Sequence, residues 1–326
     1  MIDSKTKEIK IKLLGFGQNP ENFFFVKLLR KKYNIVLSET PDYVFYTPFD
    51  SEHHQYDCVR IFFTGENVIP NFNICDYAIS FQHLFFEDRH LRCPLWRLYE
   101  DALTEGLKKG FDWTDKQLLN RDFCACVISN SAQTDGKRAE FFNILSKYKQ
   151  IASGGRWQNN VGGPVPDKCT FQQKYKFTLA FENTYSSGYT TEKLLEGFAS
   201  HTVPIYYGDP RVTDDFNPKS FINAADFNNL EDLSDYVQKV DSDDSLYLSY
   251  MREPIFLNNQ LPEKYTEDSL LKFFDNIFKG TPTEAKRLFY KKPYADIDYQ
   301  RVKTRDIKNM LKYKVQTKIK HLFDLK

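Results

Sequence analysis

Apolar residues at strand-like and helix-like spacings alternate along most of the chain. Segments with the short apolar pattern of strands occur at residues 9–15, 34–37, 43–46, 59–64 and 76–81, and again at 123–129, 150–153, 175–181, 202–207 and 221–224. Segments 23–33, 137–148 and 270–278 are predicted helices with an apolar face. Strands interleaved with helices in this order predict an α/β fold with two domains.

The boundary between the domains is predicted from a polar stretch, residues 106–122, which lacks a clear apolar face. We interpret this stretch as a linker, with a first domain at 1–115 and a second at 120–295. Residues 226–244 are acidic and predicted to be helical in part, with their charges on a solvated face.

Composition narrows the classes of function. A chain of 326 residues has room for two buried cores, and a net charge of +1 argues against nucleic acid as a partner. No apolar run is long enough for a transmembrane helix, and the first ten residues lack the apolar segment of a signal peptide. A cytoplasmic protein is therefore predicted, and its six scattered cysteines are predicted to be free thiols.

The C-terminal segment, residues 296–326, differs from the rest. Residues 299–326 contain nine Lys and Arg against two Asp, with apolar residues every three to five positions. This pattern predicts a basic amphipathic helix. Two interpretations stay open: a surface helix packed on the protein, or an in-plane helix that holds the protein on the inner face of an anionic membrane.

The strongest candidate site lies in residues 175–210. A predicted strand is followed by a polar loop, then by a helix that begins after Thr190 and Thr191 with Glu192 in its first turn, then by another strand. In a parallel sheet, such a loop-to-helix junction lies at the carboxyl edge, where ligands bind. A helix N-terminus also favours phosphate, so the spacing indicates a nucleoside-diphosphate site.

Two shorter motifs add candidate chemistry. Glu66 follows a predicted strand in the run TGEN, where a carboxylate can serve as a base, although a glutamate there is more often a solvated turn residue. Arg156 lies in the glycine-rich run SGGRWQNNVGG. Glycines let a backbone approach a ligand closely, and arginine binds phosphate through two donors at once.

These motifs together resemble those of the α1,3/4-fucosyltransferases, especially the bacterial enzymes. The matching runs are RIFFTGENVIPNFNICDYAISF, SGGRWQNNVGG, FENTYSSGYTTEK and HTVPIYYGDP, and the likeness covers residues 59–227. The resemblance implies a GT-B fold, in which two Rossmann-like domains face each other across a cleft. It also implies inverting transfer of L-fucose from GDP-β-L-fucose, in α1,3 or α1,4 linkage, to the GlcNAc of a lactosamine-type oligosaccharide, in a Lewis-antigen-like glycan or a surface polysaccharide.

The resemblance also implies residue roles. Glu66 matches the proposed base, and the donor-binding positions are matched by Arg156 and Lys193 at phosphate, Glu192 at the ribose, and Asn183 and Tyr189. A lysine in the first turn of a helix opposes the helix dipole, which itself suggests function.

No metal or cofactor is expected to be required, since cationic side chains and the helix end balance the diphosphate. The pairs Asp241–Asp243 and Asp296–Asp298 resemble an Asp-x-Asp metal clasp, but neither follows a convincing strand, and we interpret them as surface acids. Two other functions remain open: a glycosyltransferase with another nucleotide sugar, and a non-catalytic nucleotide- or glycan-binding protein of the same fold.

Overall fold

Two β-sheets form the framework of the protein in the computed structural model, which describes residues 7–17, 19–129 and 134–288. The first sheet contains β1 (Glu8–Leu14), β2 (Asn34–Leu37), β3 (Tyr43–Tyr46), β4 (Val59–Phe63), β5 (Tyr77–Ser80) and β6 (His90–Arg92), in the order β2-β1-β3-β4-β5-β6. Helix α1 (Phe24–Arg30) connects β1 to β2. The pairs β1–β2, β1–β3 and β3–β4 are parallel.

The second sheet follows two short helices, α2 (Glu100–Gly106) and α3 (Asp115–Leu119). Its strands are β7 (Asp122–Cys126), β8 (Ile151–Ser153), β9 (Tyr175–Phe181), β10 (Val203–Tyr207) and β11 (Ile222–Asn223), in the order β11-β10-β9-β7-β8. Every neighbouring pair is parallel, so the carboxyl ends of all five strands lie at one edge. The connecting helices are α4 (Lys137–Leu145), α5 (Lys168–Gln172) and α6 (Glu192–Ala199).

Four further helices complete the described chain: α7 (Leu230–Ser242), α8 (Asp244–Arg252), α9 (Glu267–Phe278) and α10 (Pro282–Ala285). The central strands of the second sheet are buried on both faces, which is why they appear in the sequence as nearly continuous apolar runs. Phe177, Ile205 and Phe141 are fully buried in this core. Burial of each such side chain contributes about 1.5–3 kcal/mol to the free energy of folding.

The chain divides into two compact units. The first contains the described residues of Met1–Phe63, Pro70–Ala78 and Phe274–Lys326, and the second contains Thr64–Ile69 and Ile79–Phe273. The segment with Glu66 is thus grouped with the second sheet. The domain bounds predicted from the sequence, 1–115 and 120–295, stay a prediction.

The prediction of a linker at residues 106–122 is wrong, because this stretch lies within the second compact unit. Helix α3 occupies part of it, beginning at a capping box formed by Thr114 and Gln117, and Leu118 is fully buried. Lys109 is also fully buried, where its ammonium donates to the carbonyl oxygens of Ser220 at 2.8 Å and Tyr250 at 2.6 Å. Burial lowers the pKa of Lys109 to about 7. The polar sequence predicts that the Lys109 ammonium contacts water, but in the structure it contacts backbone carbonyls instead.

The α/β class with two parallel-sheet domains is confirmed. The predicted basic C-terminal helix, residues 296–326, lies outside the described residues.

Within the part of the chain that the structure describes, no helix combines the length and the apolar character needed to cross a membrane.

Candidate active site

A buried carboxylate, Glu182, organises the junction between β9 and α6. It is fully buried at the end of β9 and accepts hydrogen bonds from the backbone N–H of Thr191 and the Thr191 hydroxyl, each at 2.7 Å, and from the Lys193 ammonium at 2.9 Å. Gly208 has to be glycine because a Cβ there would lie 2.4 Å from Cγ of Glu182. The N-terminus of α6 is therefore held in place by a side chain of the preceding strand.

The charges at this junction are coupled. Burial raises the pKa of Glu182, and Lys193 and Thr191 offset part of that rise. Burial alone would lower the pKa of Lys193, but the carboxylates of Glu182 and Glu192 outweigh it and hold the pKa above its usual value. Burial likewise opposes ionisation of Glu192, yet Lys193 and the helix backbone lower its pKa. The junction holds an ammonium between two carboxylates.

Asp209 anchors the loop that precedes α6. This buried aspartate, just beyond β10, accepts from the backbone N–H of Gly188 at 2.7 Å, from the Thr190 hydroxyl at 3.1 Å and from the backbone N–H of Arg211 at 2.8 Å. Because Gly188 has φ +83°, its left-handed backbone suits glycine. The end of this loop that leads into α6 is therefore fixed by both Glu182 and Asp209.

The other two donor candidates on this loop are held by protein partners. The Asn183 side chain accepts a hydrogen bond from the Arg138 guanidinium at 2.8 Å. The Tyr189 ring is buried, with its centroid 5.0 Å from that of Phe81. Burial raises the pKa of Tyr189 to about 12, with nearby carboxylates including Glu66 adding to the rise. Its phenol therefore stays protonated at neutral pH and can donate a hydrogen bond.

Glu66 lies on an exposed loop next to this junction. The loop turns where the Thr64 hydroxyl bonds both the N–H and the carbonyl of Glu66, each at 3.0 Å. Asn67 links it to the loop after β9, since its amide donates to the Thr184 hydroxyl at 2.8 Å and accepts from the Ser186 hydroxyl at 3.2 Å. The Glu66 carboxylate is solvent-exposed. Asn67 thus joins the predicted base to the loop between β9 and α6, residues 182–191, which we call the donor loop.

The glycine-rich loop after β8 is shaped by close backbone approach. A Cβ on Gly155 would lie 1.9 Å from the carbonyl oxygen of Ile128, beyond the end of neighbouring β7, so no side chain fits. Asn159 donates to the Gly155 carbonyl at 2.6 Å and accepts from the Gly163 N–H at 2.9 Å. Asn160 pairs with the backbone of β8 at Ser153 and Ile151, each at 2.8 Å.

This loop presents Arg156 to solvent. The side chain is exposed, and among the described residues no hydrogen bond or ion pair engages its guanidinium. Because β8 and β9 belong to one parallel sheet, Arg156 and the loop with Asn183 follow strand ends at the same edge. A braced loop that carries an unengaged cation at this edge is chemically suited to a phosphate.

The structure brings most of the sequence candidates together. Asn183, Tyr189, Glu192 and Lys193 share one junction, Glu66 lies beside it, and Arg156 lies on a separate loop of the same edge. Sequence reasoning left Glu182 out of the candidate site residues and missed Asp209, Asn159 and Asn160. The available signal was their position, because each lies within or next to a glycine-containing turn at a strand end.

The interpretation of Asp241 as a surface acid is wrong. This residue is buried rather than at the surface, and its carboxylate accepts from the ammonium groups of Lys149 at 2.5 Å and Lys176 at 3.4 Å. Asp243 instead caps the N-terminus of α8 through the N–H of Leu246 at 3.0 Å. Over residues 7–17, 19–129 and 134–288, no group of three or more His, Cys, Asp or Glu has a metal-binding arrangement.

Comparison with family models matches both halves of the chain. Residues 11–99 match the N-terminal domain of α-(1,3)-fucosyltransferase FucT, and residues 118–260 match the C-terminal part of glycosyltransferase family 10, the fucosyltransferases. Among curated relatives, the Helicobacter pylori α-(1,3)-fucosyltransferase FucT is 34% identical over 288 residues, which cover 77% of this chain. The chain spans 58% of that relative's length. Human GDP-fucose protein O-fucosyltransferase 3 is 42% identical over 196 residues, or 56% of this chain and 40% of the relative.

Solved structures give the same result over a larger share of the chain. A crystal structure of an α1,3-fucosyltransferase with GDP-fucose is 31% identical, with a TM-score of 0.72, over 86% of this chain and 93% of the other. A second crystal structure of an α1,3-fucosyltransferase has a TM-score of 0.76, at 31% identity, over 86% of this chain and 92% of the other. These matches confirm the predicted GT-B fold class. The chain belongs to the α1,3-fucosyltransferases of glycosyltransferase family 10.

Proposed function

We propose that this protein is an inverting fucosyltransferase that transfers L-fucose from GDP-β-L-fucose to the GlcNAc of a lactosamine-type glycan, in α1,3 linkage. One observation carries the proposal: Asn67 ties the loop with Glu66 to the loop that leads into α6. A base and a diphosphate-binding helix end have to lie close together for such a transfer. The donor is supported by the similar solved structure that contains GDP-fucose.

In the proposed reaction the acceptor hydroxyl attacks the anomeric carbon of fucose from the face opposite the leaving group. A new carbon–oxygen bond forms, and the bond to the β-phosphate breaks with its electron pair on GDP. The Glu66 carboxylate takes the hydroxyl proton. One displacement inverts the anomeric carbon, so a single carboxylate base is sufficient.

The departing diphosphate gains negative charge that the protein has to stabilise. The Arg156 guanidinium is exposed for two-donor contact with phosphate oxygens. The N-terminus of α6 adds the positive end of its dipole, and Lys193 contributes an ammonium whose raised pKa keeps it protonated. Glu192, which is ionised beside it, is assigned to the ribose hydroxyls.

A second candidate keeps the donor and changes the acceptor class. The human relative that is 42% identical over 196 residues is named a GDP-fucose protein O-fucosyltransferase. For this candidate, the hydroxyl that Glu66 deprotonates belongs to a protein side chain.

The test is incubation of the purified protein with GDP-fucose and three acceptor sets: lactosamine-type oligosaccharides, other glycans and folded protein domains. Mass spectrometry would detect the added deoxyhexose, and NMR would define the linkage and its anomeric configuration. Parallel reactions with EDTA test the expectation that no metal is required. Transfer to lactosamine is expected. Transfer to protein domains alone would select the second candidate, and the absence of transfer to all acceptors would contradict both.

A further inference from the structure

Large apolar side chains are exposed around the loop that carries Glu66. Phe85 is 89% exposed and Ile69 is 71% exposed, and Val68 and Leu84 are each more than one-third exposed. We name these four residues the apolar rim. Most soluble proteins expose apolar residues singly, so a group of them beside a candidate site indicates a binding surface.

The rim belongs to the same group of loops as the candidate base and the donor loop. Its two halves are joined by a hydrogen bond from the Gln82 amide to the Val68 carbonyl at 3.2 Å. The segment that leads into the second half packs against the donor loop, because a Cβ on Gly188 would lie 2.5 Å from the Phe81 carbonyl oxygen and 3.1 Å from the His83 ring. A surface next to Glu66 and the donor loop is where an acceptor has to bind.

Hydrogen bonds to the loop backbone hold the second half of the rim in its exposed position. His90 spans the loop, with Nδ1 at 2.9 Å from the Leu84 carbonyl and Nε2 at 2.7 Å from the Ser80 hydroxyl. The Leu84 carbonyl oxygen can only accept, so Nδ1 of His90 carries the proton. Burial lowers the pKa of His90 and favours the neutral ring, in which Nε2 accepts a hydrogen bond from the Ser80 hydroxyl. The backbone at Leu84 is therefore anchored to β5, and Phe85 next to it is directed to solvent by a fixed loop.

We propose that the apolar rim binds the acceptor by stacking Phe85 and Ile69 on the C–H face of an uncharged pyranose ring. This inference rests on the proposed function and names how the same site holds its acceptor. A pyranose has one face of C–H groups and an edge of hydroxyls, and an aromatic ring attracts polarised C–H groups through its negative face. Stacking on the rim leaves the hydroxyl edge available to Glu66.

The charges of these loops favour a neutral sugar over a membrane. Glu66, Glu87 and Asp88 outnumber the single cation Arg89 in residues 64–69 and 82–89. An anionic lipid surface would be repelled by this excess of carboxylates, whereas an uncharged glycan would not.

The experiment compares wild type with Phe85→Ser and Ile69→Ser, using N-acetyllactosamine as the acceptor probe. Leu257→Ser is the matched control, because Leu257 is 67% exposed in a separate helical turn, Leu257–Asn259. The rim variants are expected to raise the KM for the acceptor about five- to tenfold each, with the GDP dissociation constant and the melting temperature unchanged. The control variant is expected to match wild type in all measurements.

Saturation-transfer NMR of N-acetyllactosamine with GDP-loaded protein separates this inference from the proposed function, because it requires no turnover. Ring-proton saturation in wild type that is lost in Phe85→Ser supports the rim even if no fucose is transferred. An unchanged KM in both rim variants, or no saturation of the probe in wild type, would overturn the proposal. If the rim variants have an unchanged KM and no longer sediment with lipid vesicles, the rim binds a membrane and not the acceptor.

Discussion

Lys193 has a structural role in addition to the donor-binding role that we propose for it. Its ammonium lies within 2.9 Å of both Glu182 and the Thr191 hydroxyl, and 3.5 Å from Glu192. The buried Glu182 carboxylate therefore depends on Lys193 for its counter-charge. Any contact between Lys193 and a phosphate would be made by an ammonium that already holds α6 to β9.

The structural function can be tested with Lys193→Met, which preserves length and removes charge. We expect a loss of about 3 kcal/mol in the free energy of unfolding, because Glu182 becomes an unpaired buried carboxylate. Since burial raises the pKa of Glu182 in the folded state, its protonation favours the folded state and its ionisation at higher pH disfavours it. The difference in the free energy of unfolding between variant and wild type, measured by denaturant titration, should therefore become smaller as the pH falls from about 8 toward about 5. The double variant Glu182→Gln/Lys193→Met should regain part of the lost stability. A gap independent of pH would contradict this coupling.

Glu66 permits a sharper chemical test, since its exposed carboxylate has little structural importance. Glu66→Gln should lower kcat by about 10²–10⁴, the usual contribution of a general base, while the GDP dissociation constant measured by calorimetry stays the same. Glu87→Gln, an exposed carboxylate on the neighbouring loop, is the matched control and should retain full activity. Near wild-type turnover in Glu66→Gln would mean that another group accepts the proton.

The sequence predicts which side chains lie close together only where they are near each other along the chain. Lys193 and Glu192 lie close together because adjacent residues share the first turn of α6. By contrast, Asn67 bonds to Thr184 and Ser186, and Lys109 bonds to carbonyls more than one hundred residues away. Such pairings depend on the packed fold, so no local pattern indicates them.

At the scale of elements, the loops after β8 and β9 are held by more hydrogen bonds than their polar sequences suggest. Periodicity predicted β9, α6 and β10 closely because buried strands and amphipathic helices have strong patterns. It failed at residues 106–122, where α3 is short and its single fully buried residue, Leu118, produces no periodic signal. The same limit applies to the glycine-rich loop, which is braced by asparagine side chains that a sequence pattern cannot distinguish from solvated ones.

The glycine-rich loop can be tested as an element with Gly155→Ala. The added Cβ would lie 1.9 Å from a backbone oxygen, so the loop has to move and Arg156 with it. We expect GDP affinity to fall at least tenfold, the effect of losing one charge-assisted contact, together with a lower melting temperature. Gly106→Ala is the control, because the nearest atom to its Cβ would be a side-chain methyl at 3.2 Å. Unchanged GDP binding in Gly155→Ala would remove the loop from the donor site.

On the scale of the whole molecule, charge is unevenly distributed along the chain. The net charge of the full sequence is +1, yet residues 299–326 contain nine cationic side chains and two acidic ones. The remainder of the chain is therefore net acidic. This segment follows the proposed catalytic region in sequence and contributes none of the candidate site residues. It can therefore be deleted without removing any residue of the proposed site.

Deletion of residues 304–326 tests the membrane interpretation of this segment. Each basic residue near an anionic surface contributes about 1 kcal/mol at physiological ionic strength, so even half of the excess positive charge would hold the protein on a vesicle. Wild type should sediment with phosphatidylserine-containing vesicles and be released by high salt, which screens the attraction. The deletion variant should stay in the supernatant yet keep its kcat and KM for a soluble acceptor, because Glu66, Arg156 and Lys193 are unaffected. Uncharged phosphatidylcholine vesicles provide the control. If the deletion lowers the melting temperature and leaves sedimentation unchanged, the segment stabilises the protein by packing and has no affinity for the membrane.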